Sequence, residues 1–163
     1  MTGAGTSDPS RAKLCFLLEQ DEDGWPPVES ENVWARSLGR DEYEVESVPW
    51  FVSGIAFGDR VLARRDDDGV LAFERKLAWS GRYTIRLIPT GEGPARDQLE
   101  TIAAEFAPLG ATGEGGLPAF RILALDIPPT AALAEIKQLL RKGEDEGRWG
   151  WEEGCVDDRW TSL

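Results

Sequence analysis

The chain reads as an α+β protein: a small β-rich, barrel-like N-terminal unit followed by a ferredoxin-like βαββαβ unit. Three observations predict this. Short apolar runs with turn signals between them crowd residues 12–80, the pattern of a small curled sheet or barrel. Helical periodicity enters only after Gly81. From there the order is strand, helix, strand, strand, helix, strand. The predicted divisions are a disordered tail over 1–12, a β-rich unit over 13–80 and the α+β unit over 81–163.

Each element has a local reason. "AKLCFLLEQ" (12–20) is an apolar run stopped by the acidic turn "DEDGWPP", and reads as a buried strand. "ENVWARSLG" (31–39) alternates, with Val33 and Ala35 on one face. "RDEYEVESVP" (40–49) alternates more strictly: Tyr43 and Val45 face one way, Glu42, Glu44 and Glu46 the other. In "WFVSGIAFGD", Gly54 and Gly58 mark turns or bulges. Asp67-Asp68-Gly69 joins two strands of a hairpin. "RYTIRLIP" is a strand, and Leu99, Ile102, Ala103 and Phe106 recur at helical spacing in a helix ending near Gly110. A loose glycine-rich stretch then leads to the apolar strand Phe120–Ile127. Thr130 is the expected N-cap of a second helix, whose face is Leu133, Ile136 and Leu140 and whose end lies near Gly143 or Gly147. "RWGWEEGCV" is the last strand, at a sheet edge.

Composition narrows the function classes. The chain has 163 residues and a formal net charge of −12. That field repels phosphate backbones, disfavouring nucleic acid, and attracts basic partners. No apolar run reaches the roughly 18–20 residues of a membrane helix, and the N-terminus lacks the apolar core of a signal peptide. Cys15 and Cys155 read as two buried thiols in a reducing cytoplasm; a bridge between them is the alternative. There is no histidine, which removes Ser-His-Asp and Cys-His catalysis and histidine ligation of metals. No catalytic residue, metal site or cofactor is expected.

Several phrases, "VPWFVSGIAFGDRV", "SGRYTIRL", "ALDIPP" and "EGRWGWEEGC", together resemble an uncharacterised bacterial family known as domain of unknown function 4265. The resemblance spans roughly residues 30–156. It implies a bacterial, cytoplasmic protein and carries over no catalytic residue.

The binding surface is sought in two places. Glu42, Glu44 and Glu46 form an acidic ladder spaced roughly 6–7 Å apart along a strand; it reads either as a solvated outer face or as a surface for a basic protein. In "EGRWGWEEGC", Trp149, Trp151, Glu153 and Cys155 share one face, which seals the core under the helices. Gly150, Glu152 and Gly154 leave the other face bare, and with Trp151 this makes a second protein-binding candidate at an edge strand. Glu153 sits awkwardly among tryptophans, and a bulge near Glu152-Glu153 would turn it outward. The functional expectation is a non-catalytic acidic binding protein, an inhibitor or immunity-type cap for a basic protein. The alternative is a small-molecule or regulatory sensor using the cleft between the two units.

Overall fold

The computed structural model describes residues 8–92, 95–115 and 120–163. It is an α+β structure of two sheets. The first holds β1 (Arg11–Leu17), β2 (Ser30–Gly39), β3 (Glu42–Val45), β4 (Arg60–Arg65) and β5 (Leu71–Ala78). Neighbours pair antiparallel, and a parallel contact of Cys15 with Ala72 joins β1 to β5, so the sheet closes on itself. Its interior is filled by Leu14, Phe16, Val33, Ala35, Val45, Val61, Ala63 and Leu71. Alternation along β1 and β2 supplies the first four and leaves Lys13, Trp34 and Arg36 outside. β1 is therefore half-buried rather than buried, and Leu17 stands 87% exposed. It also begins at Arg11, inside the stretch expected to be a tail; residues 1–7 of that stretch lie outside the described residues.

The second sheet holds β6 (Tyr83–Pro89), β7 (Thr112–Gly115), β8 (Leu123–Ile127) and β9 (Trp149–Cys155), in the order β7-β8-β6-β9 and all antiparallel. The glycine-rich stretch thus contains a strand, β7, whose glycine at 113 lets it lie against Leu123 and Ala103. Helices α1 (Ala95–Phe106) and α2 (Leu133–Asp145) follow β6 and β8. They pack Leu99, Ile102, Phe106, Leu133, Ile136 and Leu140 onto Ile85, Leu87, Leu123 and Leu125. A short 3-10 turn, Ala107–Leu109, ends α1, and Gly110 closes it at φ 96°. The glycine-rich expectations at 91–96 and 110–116 fall partly outside the described residues.

The cap of α2 and the last turn of the chain depart from expectation, while α2 ends between the two glycines expected near its end. Thr130 does not cap α2; Ala132, two residues on, holds that position with no side-chain bond, because a turn closed by Ala131 N on Pro128 O comes first. Gly143 does not end α2 but lies inside it: a Cβ there would meet Trp149 ring atoms at 2.0 Å. The helix runs on to Asp145, with Gly147 at φ 73° just beyond. A last turn, α3 (Asp158–Thr161), was not expected. Asp157 caps it by accepting the Trp160 N–H, and Trp160 is wholly buried.

Candidate functional site

The site is built on a segment with no regular structure, residues 46–59, which leaves β3, reaches the second sheet and returns into β4. Backbone N–H groups without a ladder need other acceptors, and two buried carboxylates supply them. Glu31 sits at an inward position of β2 and accepts the N–H groups of Trp50 (2.6 Å), Phe51 (3.0 Å) and Val52 (2.8 Å). Asp59, wholly buried, accepts from Ala56 N (2.9 Å) and Ser80 N (2.7 Å) and pairs with Lys76 at 2.8 Å. Glycine freedom is used at Gly54 and Gly58, at φ 79° and 83°.

The same segment joins the two sheets. Gly54 N donates to Gly154 O at 2.8 Å, and Arg86 Nη1 donates to Val52 O at 2.9 Å. Thr84 Oγ1 reaches Ile55 O at 3.3 Å, and Trp50 Nε1 reaches the Glu114 carbonyl at 3.3 Å. Val52 and Ile55 enter the core of the closed sheet, while Phe51 packs edge-on against Phe120 at 5.5 Å.

Between this segment, β2 and β7 lies a cleft of about 590 Å³. Val33, Val48 and Phe51 form its apolar floor; Trp34, Trp50, Lys13, Asn32 and Glu114 line it, and Glu31 is one buried wall. Arg11 Cζ lies 4.4 Å, and Lys13 Nζ 5.3 Å, from the Trp34 ring centre, within cation–π range. Burial pushes the Glu114 carboxyl up, and Asp126 adds to that; a bond from the Val48 backbone opposes it. A second hollow of about 510 Å³, beside Thr90, Gln98 and Arg148, adjoins positions outside the described residues.

The residues expected to bind lie elsewhere, in two separate places. Glu42 and Glu44 share the outer face of β3 and Glu46, one residue past its end, continues that face, but all three meet arginines there. Glu42 pairs with Arg60, Glu44 with Arg36 at 3.4 Å, and Glu46 with Arg11 at 3.4 Å and Arg36 at 3.6 Å. The ladder is thus half of a mixed-charge web. Trp151 is half-buried against the helical core, and its Nε1 donates to Glu144 Oε2 at 3.1 Å. Glu152 accepts from Arg86 Nε at 2.8 Å, on the opposite face.

The bare face of β9 is partly occupied by the chain itself: residues 52–55 lie along it, and a Cβ on Gly154 would be crowded by Thr84 Cγ2 at 3.1 Å and Arg86 Cζ at 3.2 Å. The expected bulge comes one residue later than Glu152-Glu153. It interrupts the register between Thr84↔Cys155 and Ile85↔Glu153. Glu153 becomes exposed and accepts the Trp160 Nε1 proton at 3.1 Å. The extra residue also reverses the alternation, so Cys155 leaves the tryptophan face and comes within 3.8 Å of Lys76 Nζ. Burial pushes its thiol up; the Lys76 ammonium pulls the other way. Cys15 and Cys155 are both free thiols, and Cys15 is only half-buried.

Glu31, Trp34, Trp50 and Glu114 are the site residues that sequence reasoning missed. The first two carried a signal. Glu31 has the inward parity of Val33 and Ala35, where an acid needs partners, and Trp34 has the outward parity, where an indole needs a reason. Nothing local marks Trp50 or Glu114.

A family model described as "Domain of unknown function (DUF4265)" matches residues 31–151. No curated protein matches the chain. Among solved structures, the chain is similar to one described as "Novel crystal structure of a hypothetical protein from Neisseria gonorrhoeae". The identity is 20%, the TM-score 0.72, and the match covers 90% of this chain and 95% of that one. The likeness shows a shared fold. Every residue that lines the cleft on the closed-sheet side from position 31 onward, and Glu114 opposite, falls inside the family match.

Proposed function

We propose, from the premise that the chain belongs to the family described as Domain of unknown function (DUF4265), that it is a non-catalytic binding protein for a small molecule held in the cleft between its two sheets. The cleft itself carries this reading. Its 590 Å³ falls in the range of roughly 300–1,000 Å³ typical of ligand sites, and it combines an apolar floor with a few polar groups. Those groups are an ammonium, an amide, hydroxyls and two carboxyls, which suit binding; among the described residues no cysteine or histidine lines it. The closed sheet is read as a small barrel. The second sheet is read as ferredoxin-like, since β9-β6-β8-β7 is the order 4-1-3-2 of its own strands. Residues 13–80 and 81–163 are then the two units that the segment 46–59 ties together. The free thiols suit a reducing compartment such as the cytoplasm.

A second reading, an acidic cap for a basic protein, is favoured by the net charge of −12. The ladder would contribute less to it than three free carboxylates, because each glutamate already has an arginine.

A fragment screen read by NMR tests the first reading. Hits should shift the signals of Asn32, Trp34, Val48 and Trp50 together. A screen whose hits all map outside these residues sinks it.

A further inference from the structure

The cleft being the ligand site, as proposed above, we infer that its ligand is a compact organic cation, a quaternary or alkylated ammonium held between the indoles of Trp34 and Trp50 and the carboxylate of Glu114.

The Trp34 ring is a surface on which cations already gather. Arg11 and Lys13 both sit over it, at 4.4 and 5.3 Å from its centre. Arg11 is also tied to Glu46 at 3.4 Å. Lys13, in contrast, rests on the ring rather than on a carboxylate, and it is exposed. Among the described residues that line the cleft it is the one cationic side chain, and its exposure leaves it free to swing aside. Two carboxylates line the same cleft. Glu31 has both oxygens engaged by backbone N–H groups and shapes the wall. Glu114 takes a single backbone bond, from Val48, and so keeps acceptor capacity for a ligand. Its charge is disfavoured where it stands, by burial and by Asp126, and a cation beside it would remove that penalty. An aromatic wall with an acid opposite is the arrangement that selects an alkylated ammonium, which is weakly hydrated and polarises the ring faces. The field of a chain carrying −12 concentrates cations and excludes anions.

The test is a titration of the intact protein, followed by tryptophan fluorescence and calorimetry, with three probes. They are choline, its uncharged isostere 3,3-dimethylbutan-1-ol, and benzoate. Choline should bind about tenfold tighter than the alcohol, the size of one desolvated cation–π contact. Glu114→Gln should remove most of that margin while leaving alcohol binding nearly intact, and Trp34→Ala should weaken both ligands, choline by more; Trp34 is 39% exposed and Glu114 lies at the rim of β7, so neither change empties the core. Lys13→Met should strengthen choline binding severalfold by removing the resident cation. Equal binding of choline and the alcohol, tighter binding of benzoate, or weaker choline binding by Lys13→Met would each overturn the cation while leaving the cleft as the site. If none of the three probes binds, the cation falls, and the fragment screen described above decides the cleft separately.

Discussion

Trp149 and Trp151 leave the same face of β9, opposite Pro89 and Leu87, and meet different surroundings. Trp149 lies under α2 in the gap that Gly143 leaves, 1% exposed, with Nε1 donating to the Leu140 carbonyl at 3.0 Å and its ring against Phe106 at 5.9 Å. Trp151 packs only at the rim of that core and turns its N–H to Glu144. The two residues therefore differ in the volume left empty on truncation. Trp149→Ala should cost about 3–5 kcal/mol, and Trp151→Ala roughly 1–2 kcal/mol, in line with partial burial. Denaturant unfolding of both variants decides; equal losses would mean that the rim residue is as essential as the buried one. Asp157 and Trp160 teach a similar lesson. The aspartate caps a single turn, and that turn drops Trp160 into the core beside Tyr83.

The segment 46–59 is the element on which the site depends, and side chains hold it rather than a ladder. Glu31 is the main holder of its N-terminal half, with three charge-assisted bonds. Glu31→Gln keeps the shape but removes the charge and one acceptor. Hydrogen bonds to charged groups are worth about 1.5–3 kcal/mol each. The amides of Trp50, Phe51 and Val52 should then exchange with solvent roughly ten- to a hundredfold faster, while those of β2 and β8 keep their protection. Hydrogen exchange followed by NMR measures this directly. Unaltered exchange at 50–52 would show that sheet contacts, not Glu31, order the segment. The elements themselves were largely legible. Alternation at Val33 and Ala35, and helical spacing at Leu133, Ile136 and Leu140, report burial on one face, and burial is what forms these elements. The strand ends and β7 were less so, because glycines at 113 and 115 carry no side-chain periodicity.

For the whole molecule, the decisive quantity is where the acidic excess sits. The ladder residues are matched by Arg11, Arg36 and Arg60 across strand boundaries. Replacing Glu42, Glu44 and Glu46 together by lysine would set like charges against those arginines. Exposed pairs are worth at most about 1 kcal/mol each, so the triple variant should lose roughly 1–3 kcal/mol at low salt. The loss should shrink in high salt as screening shortens the range of the field. Thermal melts at two ionic strengths test this; a melting point equal to that of the parent at low salt would show that the pairs contribute nothing. The two sheets are joined through the segment 52–59, which Arg86 of β6 holds by a buried bond and Lys76 of β5 by half-buried ones, a join that no single strand's pattern displays.

The sequence by itself determined the α+β class, the order of the strands and helices, the family, and the charge that colours any binding. These follow from periodicity and composition, which are local or summed properties of the chain. Only the tertiary structure decided that the acidic ladder is paired, that the chain's own residues 52–55 lie along the bare face of β9, and that Trp34, Trp50 and Glu114 share one cleft. Those facts depend on strand register and on residues far apart in sequence coming together: Trp34 and Glu114, 80 positions apart, line one cleft, and Gly54 bonds Gly154 across 100 positions. A one-residue bulge at Gly154 is enough to send Cys155 to the other face, because side-chain direction in a strand has a period of two and any inserted residue inverts it.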